Sequence, residues 1–350
     1  MANTSIGQMQ PKVTVLVAVY NAERFLRKCM DSLCNQTLKD IQIVCVDDCS
    51  QDHSLSIIND YAAHDSRIRI LQTEHNSGQA VARNMGLAIA DGQYITMLDS
   101  DDWYAPWSLE SAYTAAMSAG DIDCAMFRLV LHDDETGAEE DYKLRTDNKI
   151  MSGYEAFRLS LDWGVHGLYL VKASIHKQYP FDTSCRLYSD DNATRLHYLH
   201  SRKVAVTDAP YYYRKHAASM TNAISIRRFD CMEADLSMKG QLEREARAGS
   251  INDGAGALQA FETSRWINVV GCYGLYRRNA ESFTADERAE IRRRIAVILK
   301  TIDRGMVSPR IKYKFGYFPF KSPVMFTFVE DVYFFMRGIV YRLCGRRQPL

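Results

Sequence analysis

Three carboxylates, Asp99, Asp101 and Asp102, fall within four residues of the stretch YITMLDSDDW. At neutral pH such a cluster persists in a folded protein only when solvent, basic side chains or a bound cation offsets the repulsion. Hard divalent cations favour this kind of oxygen ligand. An acidic turn that caps a following helix is the competing explanation, because Asp favours N-cap positions. A second pair, Asp47-Asp48, closes the run IVCV, where the bland role is a charge pair at a helix N-terminus.

The elements that carry these groups follow from hydrophobic patterning. Residues 13–19 (VTVLVAV), 41–46 (IQIVCV), 67–72 (RIRILQ) and 94–98 (YITML) are short apolar runs that suit buried strands. Between them, residues 22–33, 54–63 and 79–90 carry helical spacing. The alternation predicts an α/β fold: a Rossmann-like, mostly parallel sheet with helices on both faces. Ligands of such sheets bind beyond the carboxyl ends of the strands. Tyr20-Asn21, Asp47-Asp48 and Asp99–Asp102 all fall at such ends. The first turn reads AVYNAERF, which lacks the GxGxxG of dinucleotide sites, and there is no P-loop.

Composition narrows the class. The chain has 350 residues, 47% hydrophobic and 25% charged, as expected of a globular protein. Basic and acidic residues balance at 43 each, so no global field draws the protein to nucleic acid. Nine cysteines lie scattered without a CxxC pair, which reads as reduced thiols rather than a zinc site. The first residues, MANTSIGQMQPK, have no apolar leader, and a cytoplasmic location is expected.

Past residue 105 the alternation weakens. Residues 121–132, 167–171 and 203–207 read as further strands, and DDETGAEED as a solvated loop. From residue 226 onward the pattern is helical, with amphipathic stretches at MEADLSMKGQLEREARAG and ADERAEIRRRIAVILKTI. A boundary near residue 222 divides the chain into residues 1–222 and a mainly helical extension, 223–350.

Taken in order, several motifs resemble family 2 glycosyltransferases with the GT-A fold. They are VTVLVAVYNAERFLRKCMDSLCNQT, IVCVDDCSQDHS and NSGQAVARNMGLAIADGQYITMLDSDDW, and the resemblance covers roughly residues 12–222. It implies an inverting transfer of a sugar from a nucleoside-diphosphate donor, a UDP-sugar first, to a glycan or lipid-linked acceptor. It places that reaction in cell-surface polysaccharide synthesis. A divalent cation, Mn2+ or Mg2+, would stabilise the departing diphosphate. By the same resemblance Val19, Tyr20, Asn21, Glu23, Asp48, Arg83, Asp99 and Ser100 bind the donor, and Asp101 holds the cation with Asp102 as alternate. Asp48 would accept from a ring N–H of a uracil-like base.

The family draws its general base from an acidic pair ahead of a helix. LYSDDNATRLHYLH fits, with Asp191 at the catalytic position and Asp190 beside it. A helix N-cap is the bland role for this pair. PYYYRKHAASMTN resembles the segment that follows, where Arg214, His216 and Ser219 would line the diphosphate or the acceptor. One departure is Gly167, where many relatives carry Lys, which implies a different acceptor pocket. A sugar nucleotidyltransferase is an alternative, as is a binding protein that has lost transfer.

The last segment mixes aromatics with basic residues. Residues 324–343 are long enough to span a bilayer, but Glu330, Asp331, Arg337 and Arg342 interrupt them. Two readings stay open: an amphipathic helix at the inner face of the plasma membrane, or a helix packing on the chain itself or on another subunit of a homo-oligomer.

Overall fold

The computed structural model describes residues 10–118, 120, 122–216 and 224–343, with 340–343 as backbone alone. Two compact units divide between residues 219 and 220. The first begins β1 (Val13–Val19), α1 (Glu23–Cys34), β2 (Ile41–Asp47), α2 (Ser54–His64), β3 (Ile68–Gln72), α3 (Gln79–Ala88) and β4 (Tyr94–Met97). Val13, Val15 and Val17 of β1 pack with Leu26 and Met30 of α1 and with Ile57 and Ile58 of α2. Leu16 joins Val44, Val46 and the α3 residues Ala80, Ala82 and Leu87 in a separate core. Strands buried on both faces have no polar face to show, so they read as continuous apolar runs.

The unit continues with β5 (Trp103–Tyr104), α4 (Ser108–Met117), β6 (Ile122–Asp133), β7 (Glu139–Asp141), β8 (Ile150–Ser152), α5 (Gly153–Ser160), β9 (Tyr169–Lys172), α6 (Ala173–Gln178), α7 (Ser189–Leu199) and β10 (Lys203–Lys215). Strand order is β3-β2-β1-β4-β9-β6-β10-β5, with β7 beside β6 and β8 beside β10. Neighbours from β3 to β4 are parallel, as are β6 and β10. Strand β9 runs antiparallel to both β4 and β6. The sheet is therefore mixed, with a parallel half that carries the first two acidic clusters.

Two segments differ from their sequence reading. Part of the acidic stretch taken as a solvated loop forms β7, paired with the end of β6. Strand β10 runs on through PYYYRK, well past the expected end at residue 207. Pro210 obscures that continuation in the sequence, and the ladder absorbs it with a register shift between Val206 and Pro210.

The second unit is helical: α8 (Cys231–Ala248), α9 (Gly254–Arg278), α10 (Ala285–Thr301), α11 (Pro309–Lys312) and α12 (Pro323–Leu343). Its core joins Phe229, Trp266, Val270, Ile291, Ile295 and Phe326. Helix α9 escaped the sequence reading because it buries residues around much of its circumference and so shows no clear apolar stripe. Cys231 and Cys272 face each other across α8 and α9 with their sulfurs 3.4 Å apart. Among the described residues, no helix is long and apolar enough to cross a membrane.

Candidate active site

The rim after the parallel strands is laced by side chain to backbone bonds. At the first turn Asn21, at φ 48°, accepts from Gln51 N at 2.7 Å, and its own N–H donates to Ser50 Oγ at 3.1 Å. Glu23 accepts from His53 N at 2.9 Å, and Val19 O accepts from Asp48 N at 2.8 Å. These three residues tie the turn after β1 to the turn after β2. Tyr20 stands about half exposed above them.

Asp48 is buried and accepts three bonds: from Thr73 Oγ1 at 2.8 Å, Ser77 N at 2.9 Å and Gly78 N at 2.8 Å. The carboxylate thereby shapes the Asn76-Ser77-Gly78 turn, where Gly78 takes φ 94°, a value only glycine adopts readily. A carboxylate offers about four acceptor positions, which leaves room for one further donor.

The Ala-Arg-Asn-x-Gly run on α3 now has a physical role at each named polar position. Arg83 donates to Asp99 Oδ1 at 2.5 Å. Asn84 pins the Phe181 backbone from both sides, accepting its N–H at 2.9 Å and donating to its carbonyl at 2.8 Å. At Gly86 an added Cβ would lie 3.2 Å from Val46, so α3 packs tightly onto β2. Arg83 is 1% exposed, and its Nε and Nη1 have no hydrogen-bond partner among the described residues. A buried guanidinium with unspent donors is costly unless an anion meets it.

The three carboxylates of the fourth turn separate into distinct environments. Asp99 also accepts from Gln79 Nε2 at 3.0 Å. Burial pushes its carboxyl up, Arg83 opposes that shift, and Asp101 and Asp190 reinforce it. Asp190, in the first turn of α7, is thus near enough to act on the charge of Asp99. Asp102 is 1% exposed and accepts from Tyr211 Oη and Arg214 N, each at 2.8 Å. Burial, then Asp99 and Asp101, push it well above the usual carboxylate range. Asp101 keeps the most open side chain of the three, with His216 Nε2 3.1 Å from its Oδ2. Ser100, between them, is half-buried.

Helix capping does not explain this cluster: α4 starts at Ser108, with Trp107 at its N-cap. Nor are Asp190 and Asp191 caps. They lie inside the first turn of α7, behind Tyr188 at φ 67°. Carboxylates there are favoured by the helix dipole. Asp191 Oδ2 lies 4.0 Å from Arg195, one turn on.

The helix that carries this pair is braced from β9. Tyr169 Oη donates to Thr194 Oγ1 at 3.2 Å and meets His197 Nδ1 at 2.8 Å. His166 is buried, accepts from Leu168 N at 3.2 Å, and is pushed down to about 4 by burial. It is a neutral partner of the backbone. Gly167 faces α7 so closely that a Cβ would stand 2.6 Å from Thr194 Oγ1. The absent lysine is thus also a packing requirement.

Arg214 is gripped on several sides. Nε donates to Asp101 O at 2.8 Å, Nη1 bonds Asp134, and the guanidinium lies 4.7 Å from the Trp103 ring centroid and 4.9 Å from that of Phe25. Asp134, Trp103, Gln79 and Tyr211 were not singled out in the sequence. Asp134 sits in the stretch read as solvated, and the other three lie inside the family motifs without a role of their own. Ser219 lies outside the described residues.

Metal fit turns on donor chemistry. Among the described residues no group of three or more His, Cys, Asp or Glu forms a full cage. Mn2+ and Mg2+ at phosphate sites need only one or two carboxylates besides the phosphates. Asp101, with His216 opposite, fits that demand. Asp102, with both oxygens already accepting, does not.

Comparison with known proteins decides the family. The sequence model described as Glycosyl transferase family 2 matches residues 14–177. Glycosyltransferase GlyG of Streptococcus pneumoniae is 30% identical over 229 residues, which cover 61% of this chain and 73% of GlyG. The chain belongs to glycosyltransferase family 2. Other curated glycosyltransferases match over about a third of their own length. Staphylococcus aureus TarS 1–349, solved with UDP-GlcNAc, superposes with a TM-score of 0.72 at 18% identity, over 92% of this chain and 91% of that one. Mannosyltransferase PcManGT of Pyrobaculum calidifontis, solved with GDP-Man and Mn2+, gives 0.51 at 14% identity, over 92% and 86%. These likenesses establish the GT-A fold with a helical C-terminal part. Family membership also sets aside the nucleotidyltransferase alternative.

Proposed function

We propose that this glycosyltransferase moves a sugar from a nucleoside-diphosphate donor, a UDP-sugar, to a hydroxyl of a glycan or lipid-linked acceptor with inversion, in cell-surface polysaccharide synthesis. The observation that carries the reading is Arg83. Its buried guanidinium spends one bond on Asp99 and leaves Nε and Nη1, beside an acidic rim, unpaired among the described residues. A diphosphate supplies the acceptor oxygens that such a group lacks.

In this reading Asp48 keeps the 76–78 turn in shape and offers its remaining acceptor capacity to a ring N–H of the base, with Tyr20 alongside. Val19, Asn21 and Glu23 keep the first two turns in shape for the donor, and Ser100 lies on the donor side of the fourth. Asp99 positions Arg83 and meets the sugar-nucleotide side. Asp101 with His216 holds the cation, which when bound would neutralise charge on the departing diphosphate. Asp102 organises β10 from beneath. Asp191 accepts the proton of the attacking acceptor hydroxyl, and Asp190, near Asp99, keeps the rim electronegative. Arg214 and Ser219 belong to the acceptor or diphosphate side.

Thermal-shift titration with UDP, GDP and UDP-sugars, each with and without Mn2+, tests the proposal. A true donor raises Tm with occupancy. UDP with Mn2+ should stabilise wild type, and Asp101→Asn should lose most of the Mn2+-dependent part. Stabilisation by GDP alone would move the donor to a guanine nucleotide. Equal UDP–Mn2+ stabilisation of Asp101→Asn would overturn the cation assignment.

A further inference from the structure

Helix α12 is inverted relative to an ordinary surface helix. Its inner side holds Phe326 and Glu330, both fully buried, and Phe334, whose ring packs where Gly274 of α9 has no side chain. Its outer side presents Met325, Phe328, Val332, Phe335 and Ile339, spaced alternately three and four residues apart, with Val324 and Met336 widening the stripe. Phe328 and Phe335 are 65% and 63% exposed. Side chains of this kind are driven out of water, so a continuous row of them left exposed signals a covering partner.

Charge says which partner. The chain as a whole is neutral, yet residues 304–329 hold five basic residues and no acid. Four of the five are exposed, and three of these, Arg310, Lys314 and Lys321, neighbour the exposed aromatics Tyr313, Phe315 and Phe318 in the sequence. Of the two acids in α12, Glu330 points inward and Asp331 is bonded by Arg277 and Tyr273. Apolar stripe, aromatic collar and unopposed cations are the features of a helix lying in a membrane interface. A second copy docked on the same patch would set these cations against their own kind, which is repulsive.

We infer that α12, with residues 310–321 ahead of it, is a peripheral docking surface for an anionic lipid bilayer. The outer stripe enters the acyl boundary, and the lysines and arginine meet lipid phosphates. Glu330 stays on the protein side. The inference does not depend on which donor or acceptor the transferase uses.

Flotation of the full chain with vesicles of phosphatidylcholine, with or without phosphatidylglycerol, provides the test. The protein should float with phosphatidylglycerol vesicles and far less with phosphatidylcholine alone. Phe328→Ser with Phe335→Ser should cut partitioning by at least about tenfold with unchanged Tm, since neither side chain supports the core. Lys314→Glu and Lys321→Glu should each weaken it about fivefold or more. Wild-type protein that stays unbound, or the double serine variant floating like wild type, would overturn the inference. So would sedimentation velocity showing a dimer that the serine pair dissociates while no vesicle is bound.

Discussion

The acidic rim of the sheet and helix α12 treat buried carboxylates in opposite ways. Asp48 and Asp102 are surrounded by donors that the fold has placed for them. Glu330 is equally buried, but neither oxygen finds a hydrogen-bond partner among the described residues. Its proton takes the place of a partner: burial, with Asp331 adding to it, pushes the carboxyl up to about 8. Donors built around a buried acid mark a carboxyl that organises the turns and strands beside it. A buried acid without them marks a surface whose apolar side has been turned outward.

The largest effect expected is catalytic. Asp191→Asn retains shape but cannot take a proton, and turnover should fall by roughly two to four powers of ten with donor affinity little changed. Asp190→Asn should be the milder variant. Steady-state kinetics beside donor titration read both, and a fully active Asp191→Asn enzyme would return the base to unassigned.

Removing a well-partnered acid should cost stability. Asp48→Ala strands the Ser77 and Gly78 N–H groups and the Thr73 hydroxyl, a loss of roughly 2–4 kcal/mol in urea unfolding. Removing the unpartnered acid should do the reverse. For Glu330 the folded pKa lies above the unfolded one, so ionisation of the unfolded chain erodes stability as pH rises from about 4.5 through about 8. Glu330→Gln should therefore be near neutral below pH 4.5 and stabilising by roughly 1–3 kcal/mol at pH 8. The groups around it do not reverse that sign: Asp331 is an acid, and Tyr317 is itself pushed up. A destabilising Glu330→Gln at pH 8 would erase the contrast between the two regions.

The smallest effect concerns Gly167. Alanine there meets Thr194 and should shift α7 slightly, costing roughly 1–2 kcal/mol and a modest part of turnover. Gly167→Ala with Thr194→Ala, which removes the clashing Oγ1, should recover some of both. No recovery would mean that the contact does not position Asp190 and Asp191.

Sequence reasoning located the parallel half of the sheet closely, because β1, β2 and β4 bury both faces and the helices between the strands bury one. It found the acidic clusters because carboxylates at strand ends stand out against apolar runs. It ranked Asp101 ahead of Asp102 for the cation only through the family resemblance, with no physical reason inside YITMLDSDDW. What distinguishes Asp102 from Asp101 is Tyr211 and the backbone of Arg214, more than a hundred residues away. A separation of 80 residues likewise hid Asp134, whose partner Arg214 lies across the β6–β10 ladder. Arg83 was visible as a motif, but its unspent donors depend on tertiary burial. The outward stripe of α12 was equally unreadable: a helix apolar nearly all round shows its free side only after its neighbours are in place.

The facing thiols of α8 and α9 have a consequence for how the protein keeps in storage. Cys231 and Cys272 need approach by little more than 1 Å to reach covalent distance, roughly 2.0 Å, and the resulting bond would close a loop between positions 41 apart. Their mutual hydrogen bond, with burial, holds the Cys231 thiol well above its usual range, which keeps the reactive thiolate scarce. Proximity therefore favours the cross-link while acidity withholds it. Samples kept near neutral pH should stay reduced for long periods, and those aged in alkaline, aerated buffer should drift toward a second, tethered population.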